Sequence, residues 1–209
     1  MFTFSEEMRM FLEVGKLVSR QRAEATKQHQ RLSPARNRDI SGKATEQIMR
    51  QHLMNHGLNI SMPRVGIEHS AIEIDLIYLK ALVNPSKFYY RIDEVDTVLE
   101  IKNNAVADQT TEIKKNFDKL RQLYAQLRFA AIVLSEREGY KYAIKESAFG
   151  YPVFTLITRS VPAGRWMWSE TETREMANKT MVHGKRSGKP AMQETGEWSG
   201  LLEYLSRQT

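Results

Sequence analysis

Three features of the 209-residue chain predict an α/β fold: a central mixed β-sheet flanked by helices, with an N-terminal helical extension and a short C-terminal helix. Short β-branched runs alternate with longer segments of helical period, the ordering that lays helices over a sheet. Two of those runs, Ile72–Ile77 and Val98–Lys102, hold acidic side chains in otherwise apolar strand sequence. The expected order is helix, three strands, helix, strand, helix, strand, which fits a sheet covered on both faces.

The first helix is expected over residues 4–30. Phe4, Met8, Phe11, Leu12, Val14, Leu17 and Val18 give its first half an apolar face. The second half is Arg, Lys, Gln and Ala, which favours helix but offers no stripe to bury, so it should project into solvent or lie against a partner. Leu32-Ser33-Pro34 reads as a break, and Asp39-Ile40-Ser41-Gly42 as the start of a second helix over 43–56. Ala44, Ile48, Met49 and Leu53 are its buried side, and Asn55-His56-Gly57 ends it. Glu46 falls on the flank of that stripe, within reach of a neighbouring strand end.

A weak strand is expected over 58–66, with Pro63 marking an edge or a bend. Strands over 71–79 and 95–102 follow, separated by the turn Asn84-Pro85-Ser86-Lys87 and the aromatic run Phe88-Tyr89-Tyr90. Residues 107–128 carry the clearest helical period, with Ile113, Phe117, Leu120, Tyr124 and Leu127 at spacings of four and three and Asp108 or Thr110 as cap. A strand over 129–134, a helix over 138–148 and a strand over 153–157 complete the pattern. Beyond 158 the chain is polar until Trp198, Leu201, Leu202, Tyr204 and Leu205 form an amphipathic helix, expected to dock on the core or on a second subunit. The organisation expected is therefore a helical extension and basic linker over 1–40, an α/β core over 41–158, and a polar extension over 159–209.

Composition narrows the function. The chain has no cysteine, which excludes disulfides and thiolate zinc sites. No apolar run reaches the roughly 18 residues of a membrane span. Acid rather than basic residues near the N-terminus argues against an export signal, so a cytoplasmic protein is expected. Residues 16–50 hold nine Lys/Arg against Glu24, Asp39 and Glu46, which accounts for the whole net charge of +6. Such segregation is the footprint of a polyanion partner or, more blandly, of a solvated helix face.

The acidic strands carry the chemistry. Alternate side chains of a strand share a face, so Glu73 and Asp75 point together, as do Glu100 and Lys102. A carboxylate in such a run is costly to bury unless it meets a counter-charge or a metal. Two neighbouring strands aiming Asp, Glu and Lys at one place predict a hard-cation site with an ammonium beside it.

An Asp followed some twenty residues later by Glu-x-Lys, each in a hydrophobic strand, resembles the signature of the PD-(D/E)xK nuclease superfamily, whose fold is the restriction-endonuclease-like one. The resemblance covers roughly residues 41–158. It assigns Asp75 as the motif aspartate, with Glu73 where a proline usually stands, and Glu100 and Lys102 as the Glu-x-Lys. Glu46 matches the glutamate that many members carry on the preceding helix.

It implies a Mg2+-dependent enzyme, with Mn2+ able to substitute, that hydrolyses phosphodiester bonds. Most in keeping is a DNA endonuclease of restriction, defence or repair type. Asp75, Glu100 and the backbone carbonyl of Ile101 are the expected ligands. Lys102 would orient the attacking water or offset phosphorane charge, and Glu46 would hold a second metal or a water. Glu73, a full strand repeat from Asp75, is a weaker candidate. Arg36, Arg38, Lys43, Lys114 and Lys115 are expected to track phosphates. Two other readings stay open: a non-catalytic nucleic-acid-binding or assembly module that keeps the fold, and an RNA-cleaving enzyme. A homodimer through the terminal helices would let two sites cut two strands. Phe88, Tyr89 and Tyr90 can stack on bases or fill the core. His52 and His56 stand one helical turn apart but lack the Glu of a His-Glu-x-x-His zinc motif.

Overall fold

A computed structural model describes residues 5–28, 33–104, 107–137, 149–159 and 192–207. Four helices and seven strands are seen among them. They are α1 (Glu6–Gln28), α2 (Pro34–Asn55), β1 (Gly66–Ile67), β2 (Leu76–Leu79), β3 (Tyr89–Tyr90), β4 (Val95–Asn104), α3 (Ala107–Leu123), β5 (Arg128–Arg137), β6 (Val153–Arg159), β7 (Met192–Glu194) and α4 (Glu197–Ser206). The main sheet has the order β2-β4-β5-β6-β7. β4, β5 and β6 run parallel, while β2 and β7 are antiparallel to their neighbours at the two edges. This is the mixed sheet expected, with β7 added at one edge and the segment over 58–66 left out of it.

Strand alternation sorts the core into two layers. Leu99, Ile101, Ala130, Ile132 and Leu134 pack with residues of α1, α2 and α4. Val98, Phe129 and Ala131 pack with Ile113, Phe117 and Leu120 of α3. Helices therefore cover both faces of the sheet.

α2 begins nine residues earlier than the sequence reading placed it. Ser33 is its N-cap, accepting from the Arg36 backbone N–H at 3.2 Å, and Pro34 occupies the first turn. Ser-Pro breaks an incoming helix and equally starts an outgoing one, because a proline at the first helical position loses no intrahelical bond. Residues 34–40, expected as a basic linker, are thus the first turns of α2. α1 lies along α2. In its second half Val18 and Ala25 are buried, and Arg22 reaches the Asn37 carbonyl. His52 and His56 tie the two helices: His52 Nδ1 stands 3.0 Å from Glu6 Oε1, His52 Nε2 2.8 Å from Glu13 Oε2, and His56 Nε2 2.8 Å from Glu6 Oε2. Burial acts to raise the Glu6 carboxyl, but the two histidines outweigh it and hold the group below its ordinary range.

The segment over 58–66 is not one strand. Ile60 bridges to Tyr78, Val65 bridges to Ile74, and Gly66–Ile67 pairs parallel with Tyr89–Tyr90. Between the two bridges lie Pro63 and Arg64, the latter in left-handed conformation at φ 60°. α3 ends at Leu123, five residues short of expectation, yet Leu127 in the following turn is still buried. The helix expected over 138–148 lies outside the described residues. β7 has no precedent in the sequence reading; its three residues add an antiparallel edge beside β6. Among the described residues no helix is long and apolar enough to cross a membrane.

Candidate active site at the fork of two strands

β2 is shorter than expected, and its shortness makes the site. Its last pair with β4 is Leu76↔Leu99. Beyond it the chain leaves the sheet and pairs with 64–65 instead: Arg64 N donates to the Asp75 carbonyl at 3.0 Å, and Val65 and Ile74 exchange bonds of 3.0 and 2.8 Å. On that edge β4 continues without a partner strand through Glu100, Ile101 and Lys102, while its other edge stays paired with β5. The Ile101 N–H, without β2 beside it, donates to Asp75 Oδ2 at 2.7 Å. Asp75 is the first residue beyond the last pair, and its side chain turns back onto β4 at Ile101 N–H and Lys102 Nζ, the ammonium that Glu100 also meets.

Lys102 joins the two carboxylates. Its Nζ lies 2.5 Å from Glu100 Oε1 and 3.6 Å from Asp75 Oδ2, with all three side chains largely buried. Burial, with the Asp75 charge added, pushes the Glu100 carboxyl up to about 7 despite the ammonium beside it. For Lys102, burial works to lower the ammonium, but Asp75 and Glu100 outweigh it and hold the group above its ordinary value. The cluster is thus short of positive charge at neutral pH, and a cation between the carboxylates would relieve it.

Glu46, on the fourth turn of α2, is buried and engaged by Arg64, which carries no signal in the sequence. Arg64 Nε donates to Glu46 Oε2 at 3.1 Å, Arg64 Nη2 to Glu46 Oε1 at 3.3 Å, and Arg64 Nη1 to Asp39 Oδ1 at 3.2 Å. Burial raises the Glu46 carboxyl, the Arg64 bonds oppose this, and the Asp75 charge adds to it. Glu46 is therefore an electrostatic neighbour of the Asp75–Glu100–Lys102 set, turned toward Arg64. In sequence, Arg64 is one arginine after a proline, and its pairing across 18 residues leaves no local signal.

Among the described residues no group of three or more His, Cys, Asp or Glu side chains is arranged to hold a metal ion. Asp75 and Glu100 are a two-carboxylate set. Mg2+ is usually bound through one or two carboxylates completed by water and phosphate oxygens, so the hard oxygen donors present fit Mg2+ or Mn2+ shared with a phosphate, and not a closed protein cage. Glu73 is exposed and lines a separate cleft with Phe88 and Tyr89. Of the three aromatics, Tyr90 is in the core while Phe88 and Tyr89 are exposed.

The basic candidates divide between the two layers. Arg36 and Arg38 are exposed on α2, and Lys43 is paired with Asp39 at 2.8 Å. Lys43, Arg50 and Arg64 line a cleft of about 630 Å3 that also contains Glu46. Lys114 and Lys115 lie on α3, across the sheet, with Lys114 paired to Asp118 at 3.3 Å.

No family model and no curated protein matches the sequence. Two solved structures are similar to it along nearly its whole length. NucC of P. aeruginosa ATCC27853, in its cAAA-bound form, is 10% identical with a TM-score of 0.49, covering 98% of this chain and 92% of that one. NucC of E. coli MS115-1, also cAAA-bound, is 12% identical with a TM-score of 0.47, covering 98% and 91%. The observed layout is a mixed α/β sheet between helices, with Asp75 and Glu100-Ile101-Lys102 at the β2–β4 fork.

Proposed function

We propose that the protein is a Mg2+-dependent phosphodiesterase, specifically a DNA endonuclease of restriction, defence or repair type. The observation that carries this reading is the apposition of Asp75 and Glu100 on one face of the fork with Lys102 Nζ between them. The bound metal supplies Lewis acidity toward a phosphate oxygen and lowers the pKa of water. The chain's residues do the rest. Asp75, fixed by the Ile101 N–H, and Glu100 hold the cation's position. Lys102 orients the attacking water and offsets charge that builds on the phosphate. Arg64 holds the Glu46 carboxyl beside the site through its two guanidinium bonds.

Purified protein incubated with supercoiled, linear and single-stranded DNA and with RNA, in Mg2+, Mn2+ or chelator, tests this. Metal-dependent cutting of DNA is expected, reduced at least about a hundred-fold in Asp75→Ala and Lys102→Ala, the scale of one lost electrostatic contact to a transition state. Cutting confined to RNA would move the substrate class. Binding without cutting in every metal would instead favour a non-catalytic module.

A further inference from the structure

The cleft that takes in Glu73 lies against the same fork. Arg64, Gly66, Ser70, Glu73, Phe88 and Tyr89 are among the residues that wall a space of about 380 Å3. Phe88 and Tyr89 are 75% and 64% exposed, far more than aromatic side chains held only for packing. Tyr89 is nevertheless seated: a Cβ at residue 66 would stand 2.7 Å from its Cε1 and 2.8 Å from its Cδ1, so the ring rests directly on the Gly66 backbone. Gly66 N donates to the Phe88 carbonyl at 2.9 Å, which fixes the strand that carries both rings. Beside the rings are the Glu73 carboxylate, the Ser70 hydroxyl and Arg64, a mixed lining of ring faces and polar groups. Arg64 also belongs to the fork, because its backbone N–H holds the Asp75 carbonyl and its guanidinium holds Glu46.

We infer that this cleft receives an unstacked nucleobase of the strand whose phosphate sits at the fork. The inference rests on the nuclease reading and adds a substrate class to it. Exposed ring faces bind bases by stacking, which every base supports. A carboxylate and a hydroxyl at the rim supply acceptors for base N–H edges. A paired base inside a duplex has both faces covered by its neighbours and cannot present one to Tyr89 or Phe88. The favoured substrate is therefore a strand with an unpaired nucleotide beside the scissile phosphate, as in single-stranded, gapped or bubble DNA. Glu73, in the wall of the cleft, stands two residues before Asp75, and Arg64 borders both the cleft and the fork, so base cleft and phosphate site are neighbours.

The test uses the full chain and a short DNA with one 2-aminopurine, presented single-stranded, in a bubble and in a perfect duplex, with chelator present so that nothing is cut. Quenched fluorescence and tighter binding are expected for the first two. Phe88→Ala and Tyr89→Ala should each weaken that binding about ten-fold, the scale of one lost base stack, and level the preference. Phe88 is surface-exposed, so its alanine variant keeps the fold if Tyr89→Ala does not. Equal affinity for all three DNAs, or unchanged binding in both variants, overturns the inference. If metal-dependent cutting that Asp75→Ala abolishes persists in that case, the base cleft alone has failed and the nuclease reading stands. No binding and no cutting of any nucleic acid sinks both. A drop in oligomeric state in Phe88→Ala without loss of binding assigns the rings to a contact between copies and also overturns the inference.

Discussion

Glu100 joins burial to pH. Its carboxyl stands near 7 in the folded protein against an ordinary 4.5. A raised carboxyl binds its proton more tightly folded than unfolded, so its contribution to stability is present below about 4.5 and is lost as pH rises through about 7. Metal-free protein should therefore melt lower than Glu100→Gln at pH 8, with the gap closing toward pH 5. Mg2+ at pH 8 should raise the melting temperature of the wild type and leave Glu100→Gln nearly unmoved; calorimetry across that range checks both. Arg64 supports a second expectation. Arg64→Gln leaves the Glu46 carboxylate buried without its guanidinium, which costs about 1–3 kcal/mol. Glu46→Gln added to Arg64→Gln should restore most of the loss in urea unfolding, because the uncompensated charge has gone.

The elements explain what could be read from the sequence. Asp75 and Glu100 were legible because strand period is two and an acid in a β-branched run stands out against it. The length of β2 was not, since the same Ile72–Ile77 run serves a strand against β4 or a fork that leaves it; pairing with 64–65 decides. The start of α2 is ambiguous in the sequence because Ser33-Pro34 carries the signals of an end and a beginning together. β7 has only three residues and announces itself through its neighbour β6, not through its own pattern. At the α1–α2 contact the histidines make a prediction of their own. His52→Leu keeps the volume but leaves Glu6 and Glu13 without one shared partner. A loss of about 1–3 kcal/mol is expected, with earlier hydrogen exchange in α1 than in the sheet.

At the scale of the molecule, the positive charge does not form one continuous face. The α2 cations continue through Lys43, Arg50 and Arg64 to Glu46, whereas Lys114 is engaged by Asp118 and lies over the Tyr151 ring on the opposite layer. DNA seated at the fork is therefore expected to follow α2. Arg36→Ala with Arg38→Ala should reduce the slope of log affinity against log salt by about two, near 0.9 per phosphate contact, while Lys114→Ala with Lys115→Ala leaves it unchanged. Equal reductions would mean that the duplex wraps the sheet edge. The terminal helices bury Met8, Val14 and Val18 of α1 and Trp198, Leu201 and Leu205 of α4 in one shared layer. These apolar faces cover one another within a single chain.

That shared layer also sets an order of events. The buried Glu7 accepts the Trp198 backbone N–H at 3.1 Å, a contact spanning 191 residues. During synthesis the first helix leaves the ribosome long before the tryptophan that covers it exists. Its methionine- and valine-rich side must wait, exposed or shielded by chaperones, until residues 197–206 have been made. A ribosome stalled before α4 should accordingly hold a nascent chain whose opening helix is still open to protease.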